Sequence, residues 1–178
     1  MTGVQTCALP IFELAGYPKE RFCAAEIWLD DRTLCLVIAV YGISWPTRSE
    51  ISQLDGWMRN CCSCVAGRGG GPTLIAGDFN VVAGDLPTWD NMLRDGWRDL
   101  AEGDTCRQHQ SGPGRRIDLL LASPSLCSRV TDAEVTWRHA LAVHAVQTFQ
   151  VLTGETERVP HWVKKDEGPQ EHEGSVPG

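Results

Sequence analysis

No stretch of this 178-residue chain approaches the roughly 20 consecutive apolar residues needed to span a bilayer, and the longest candidate, Leu34 to Val40, has the length of a buried strand. A membrane role is therefore not expected. Positive charge is also in short supply. Against 23 Asp plus Glu stand only 16 Lys plus Arg, a net charge of −7, the wrong sign for binding nucleic acid by overall electrostatics. Residues 154–178 hold six of the acids and three of the bases, so most of the imbalance lies upstream, and a polyanionic substrate would need a local basic site or a bound metal. A signal peptide is not evident, since no basic residue precedes Lys19 and Pro10 interrupts the first apolar stretch. The eight cysteines accordingly read as reduced thiols in an intracellular setting. Cys61 and Cys64 have C-x-x-C spacing, but only Cys106 and Cys127 follow, far apart, so the second pair of a zinc site is missing. There is no internal repeat and no H-x-x-x-H pair, which leaves His109, His139, His161 and His172 as surface residues.

What is present fits one domain with a real core, 42% of the residues being hydrophobic. Met1 to Ile11 resembles a translated sequencing-library adapter and is set apart from the fold; residues 12–153 form the domain; residues 154–178 turn polar and Pro/Gly-bearing, the composition of a disordered tail. Two β-rich runs, Phe22 to Leu29 and Thr33 to Val40, flank Asp30-Asp31-Arg32 and predict a hairpin. Thr47 with Glu50 three residues later predicts a capping box, and Ile51, Leu54, Trp57 and Met58 recur at helical spacing until Gly67 to Pro72. Thr73 to Ala76 reads as a strand, Thr88 to Arg94 as a helix ended by Gly96, and the polar stretch Glu102 to Gly114 as a loop. Strands follow at Arg116 to Ala122, Val130 to Trp137 and Ala145 to Leu152. Strands interleaved with helices predict an α/β layered domain. The seven tryptophans are scattered through every element, which suits core and groove wall rather than a stacking platform.

Chemistry concentrates at Asp78 and Asn80. Two apart at the end of an extended strand, they would share one face while Phe79 turns inward, and a carboxylate beside an amide can orient a water or hold a hard cation near a phosphate oxygen. The plainer reading is a turn, because both side chains readily bond their own backbone. Asp118, inside an apolar strand, requires a partner, and Arg115 and Arg116 are the adjacent candidates. Taken alone, His144 before an apolar strand has an ordinary structural reading.

Four segments in order change this picture. LIAGDFN and RRIDLLLAS resemble the G-D-[FL]-N and R-[IL]-D-[YF]-[IL]-L-x-S signatures of the endonuclease/exonuclease/phosphatase family. VIAVYG is similar to its strand ending in an active-site tyrosine, and LAVHAVQTF stands in the place of its terminal S-D-H motif. The resemblance implies an α/β four-layer sandwich of two mixed β-sheets flanked by helices, here incomplete at the N-terminus. It also implies Mg²⁺- or Mn²⁺-dependent hydrolysis of phosphate esters, above all nucleic-acid phosphodiesters, as in exonuclease III-like repair enzymes and retroelement endonucleases. By the same resemblance Asp78 would orient or deprotonate the attacking water, Asn80 hold it or a phosphate oxygen, Tyr41 and His144 meet the phosphate, and Asp118 lie near the metal or position the tyrosine or histidine. Two departures stand out. Val143 occupies the place of the aspartate expected to hold the imidazole, and nothing upstream of Tyr41 matches the family's metal-binding Glu. Together they imply a weak enzyme or an inactive remnant as the alternative function, and a phosphatase of a small phosphorylated molecule or phosphoinositide as a second.

Overall fold

The computed structural model of the chain describes residues 21–100, 102–107, 112–137 and 143–154. The adapter-like segment, the four histidines assigned to the surface, Trp162 and the tail beyond Gly154 lie outside the described residues. No helix among those described is long and apolar enough to cross a membrane.

The expected hairpin is β1 (Phe22–Trp28) and β2 (Leu34–Tyr41), antiparallel from Phe22 opposite Val40 to Trp28 opposite Leu34. Helix α1 (Arg48–Gly67) starts at the capping box, where Thr47 Oγ1 accepts the Glu50 N–H at 3.3 Å and Glu50 Oε2 accepts the Thr47 N–H at 2.7 Å. Its inward stripe is Leu54, Trp57, Met58, Cys61 and Val65. The crossover returns the chain as β3 (Thr73–Asp78), parallel to β2. Helix α2 (Pro87–Arg94) has no cap of its own. Asp55 of α1 supplies it, accepting the Thr88 N–H at 2.7 Å while it also pairs with Arg59 at 2.8 Å, so one buried carboxylate joins two helices.

Three short strands follow, β4 (Arg98–Asp99), β5 (Cys106–Arg107) and β6 (Gly114–Arg115), and then β7 (Asp118–Ala122), the short helix α3 (Pro124–Cys127), β8 (Val130–Thr136) and β9 (Val146–Val151). The stretch predicted as loop thus contains the β5–β6 pair, whose two-residue strands are too short to produce a hydrophobic period. The main sheet has the order β1-β2-β3-β7-β4 and is mixed, only β2 and β3 being parallel.

Both faces of that sheet are covered, in keeping with the α/β layering. Leu36, Ile38, Val40, Ile75, Leu119 and Leu121 pack with α1 and α2. On the other face Leu74, Ala76, Leu120 and Ala122 pack with Val130, Val135, Phe149 and Val151 of the antiparallel β8–β9 pair. The alternation along each strand puts every second residue between the two sheets, the interlayer of a sandwich.

One ion pair ties the hairpin turn to the second layer, Asp30 to Arg129 at 2.8 Å. Hydrogen bonds from the Thr33 side chain and the Arg32 N–H, with Arg129 adding to them, hold the Asp30 carboxyl down at about 2 from its ordinary 3.8. Because folding lowers this pKa, the stabilisation is complete above the unfolded value and is lost as pH falls through the folded one. We expect Asp30→Ala to lower the urea midpoint at neutral pH, and the difference from wild type to vanish between pH 3.8 and about 2.

Candidate functional site

The registers that build the sheet also build the site. Tyr41 pairs with Asp78 across β2–β3, and Asp78 pairs with Asp118 across β3–β7. Paired residues project to one side of a sheet. By the period of two, that side is the one on which Leu74, Ala76, Leu120 and Ala122 face the second sheet, so Tyr41, Asp78 and Asp118 form a row at the end of the interlayer. Two carboxylates directly opposed across strands repel each other.

Strand geometry ends at Asp78. Asn80 takes a left-handed backbone, φ 57°, so alternation is not what brings it to the site. The Asp78 carboxylate accepts the Asn80 N–H at 2.9 Å, forming the turn that was the plainer reading, while Phe79 is fully buried. Asn80 Nδ2 then donates to the Gly42 carbonyl at 3.2 Å. The turn and the constellation are one structure: the turn aims the amide.

His144 closes the group. Its Nδ1 lies 3.0 and 3.1 Å from the two oxygens of Asp118. This corrects the expectation drawn from Val143. The imidazole has a carboxylate partner from β7, whereas Val143 is 41% exposed, and the proposed partners of Asp118 are otherwise placed, Arg116 on Asp99 and Arg115 in a cleft. Donation of Nδ1–H to Asp118 leaves Nε2 as the working nitrogen. Asp78, Asp118 and His144 each offer a ligand atom within 4.8 Å of the others. Tyr41 stands beside them in register, half-exposed, with the Arg21 guanidinium 5.6 Å from its ring centre.

Residues without a motif hold these groups in place. Thr105 is fully buried; its hydroxyl accepts the N–H of Asp118 at 2.9 Å and of Ile117 at 3.2 Å, and its carbonyl accepts the N–H of Ala145 at 2.7 Å. It therefore clips the Asp118 strand to the His144 segment, and Cys106 beside it bridges to His144. Gln147 Nε2 donates to the Asp118 carbonyl at 2.8 Å. A threonine in a polar stretch carries no local signal of such a role.

Burial above all, and then the Asp118 charge, raise the Asp78 carboxyl, against the Asn80 N–H that lowers it. Hard oxygen donors with mutual repulsion fit a hard divalent cation, which would offset both causes. Glu26 is no part of the site, being paired with Arg68 at the C-terminal end of α1. All described cysteines are free, and burial pushes the Cys61 thiol up, away from the thiolate a zinc would need. Beside Asn80 and His144 opens a cleft of about 640 Å³, lined also by Trp45, Ile51, Val81, Cys106 and Arg115.

Residues 56–139 match the model of the Endonuclease/Exonuclease/phosphatase family. Over that stretch, just under half of its length, the chain resembles the family. No curated protein matches it. Solved structures of the same fold include a 3'-5' exonuclease (NExo) from Neisseria meningitidis, 19% identical over 84% of this chain and 70% of that one, with a TM-score of 0.55. An AP endonuclease from Archaeoglobus fulgidus is 14% identical over 83% and 72%, with a TM-score of 0.61. The endonuclease domain of TRAS1, a telomere-specific non-LTR retrotransposon, is 12% identical over 85% and 70%, with a TM-score of 0.57. At these identities the likeness is one of fold. Members of the family hydrolyse phosphate esters, the reaction class to which the site's carboxylates and imidazole are suited.

Proposed function

We propose that the chain, through the unit at residues 12–153, hydrolyses phosphodiester bonds of nucleic acid with Mg²⁺ or Mn²⁺. The observation that carries this reading is the convergence of Asp78, Asp118 and His144 within 4.8 Å, beside a cleft that also holds Arg115. The similar structures, an exonuclease, an AP endonuclease and a retrotransposon endonuclease, agree with that substrate class.

Asp78, with Asp118 next to it, would hold the cation, which would supply charge stabilisation at the phosphoryl oxygens. Asp78 also serves to orient the attacking water and take its proton, and Asn80, fixed by Gly42, holds the water or a phosphate oxygen in line. As an imidazolium, with Nδ1–H held by Asp118, His144 donates its Nε2–H to the phosphate as charge grows on it. Tyr41 hydrogen-bonds the same phosphate from the adjoining strand.

The test is cleavage of end-labelled oligonucleotides by the full chain, in Mg²⁺ or Mn²⁺ against EDTA. Metal-dependent cleavage is expected, and Asp78→Asn should reduce it about 10²- to 10⁴-fold without moving the melting temperature downward. If oligonucleotides stay intact while an inositol phosphate releases phosphate, the substrate is a small phosphorylated molecule. Intact substrates of both kinds would make the chain an inactive remnant.

A further inference from the structure

Trp45 has two features that folding alone does not require. Its indole is 77% exposed, the most exposed large apolar side chain among the described residues, and its backbone sits at φ 56°. Bulky residues pay a steric cost in that left-handed region and keep it where surrounding structure imposes it. The segment is held on both sides. Gly42 is bonded to Asp78, Asn80 and Arg21, and Thr47 caps α1. Of three described non-glycine residues with positive φ, Trp45 and Asn80 line the same cleft.

The rest of that cleft says what an exposed indole would meet. Ile51, Val81 and Ile117 make an apolar wall, and Arg115 brings a guanidinium with no carboxylate partner among the described residues. A flat π surface, an apolar wall and an unpaired guanidinium next to Asn80 and His144 match a base joined to a phosphate. A sugar phosphate or inositol phosphate has no π face to offer the indole.

We propose that this cleft binds an unpaired nucleotide adjoining the scissile phosphate, with Trp45 stacking on its base and Arg115 meeting its phosphate. The inference rests on the phosphodiesterase reading and adds to it the part of the substrate that is recognised.

The experiment compares the full chain with Trp45→Ala, Trp45→Phe and Arg115→Ala, using fluorescence anisotropy of a labelled single-stranded DNA in EDTA alongside cleavage in Mg²⁺. Trp45→Ala should weaken binding about 5- to 100-fold and Trp45→Phe should restore most of it, with melting temperatures unchanged. Arg115→Ala should reduce the salt slope of binding by about one. On a strand whose bases are replaced by abasic sites, wild type and Trp45→Ala should bind alike. Unchanged binding by Trp45→Ala, or an equal loss on the abasic strand, would overturn the inference while wild-type cleavage keeps the phosphodiesterase reading in place. A wild type that neither binds nor cleaves the strand overturns both.

Discussion

Asp118→Asn should lower metal-dependent turnover by about 10² to 10⁴, whereas Val143→Asp should leave it unchanged. Both oxygens of Asp118 lie within 3.1 Å of His144 Nδ1. An amide in their place removes the anion that balances an imidazolium and can present its N–H to Nδ1, so the ring no longer carries both protons for donation to the phosphate. Val143 is on the solvent side, and its carbonyl is taken by the Arg107 N–H at 2.9 Å. At 41% exposure a carboxylate at 143 would stay hydrated, and the Nδ1 it would have to meet is already held by Asp118. Single-turnover rates at saturating Mg²⁺ would separate the two variants. A large gain from Val143→Asp would mean that the imidazole lacks an adequate partner in the wild type, and the remnant reading would recover its main support.

Gly77→Ala should destabilise the fold by about 1–3 kcal/mol or more, a large fraction of a marginal domain's stability. Gly77 has φ 148°, and a Cβ there would collide with the carbonyl of Val40 in the neighbouring parallel strand. That obstacle is backbone inside the central strand pair, so relief would require β2 and β3 to separate, carrying Tyr41 and Asp78 with them. Gly56→Ala is the matched control. Nothing lies near its added Cβ and the position is within α1, so the change should stabilise by about 0.5–1 kcal/mol. Urea denaturation of both variants reads the contrast. Equal midpoints for Gly77→Ala and wild type would show that the glycine of the G-D-F-N run is not needed for close strand approach.

Most secondary structure was legible because its signals are local. Thr47 and Glu50 are three residues apart and make their capping box with each other, and the stripe from Leu54 to Val65 needs only the helical period. Boundaries moved where tertiary contacts set them: β3 runs on to Asp78 because Asp118 pairs with it, and α2 begins at Pro87 over a cap lent by Asp55 from a different helix. Trp45 was readable as groove wall, but its exposure and left-handed backbone depend on how Gly42 and Thr47 are held.

The sequence by itself determined the layered α/β class, the order of the elements and the family resemblance, since hydrophobic period, turn chemistry and short motifs are properties of neighbouring residues. It also named Tyr41, Asp78, Asn80, Asp118 and His144. Which of them touch was decided only by tertiary structure. Strand register sets Asp78 against Asp118, and the buried Thr105 hydroxyl and carbonyl draw the His144 segment to the Asp118 strand from 26 residues away. The motif suggested that the residue before His144 was the one to watch. Distance in space, unlike distance along the chain, gave the imidazole its carboxylate.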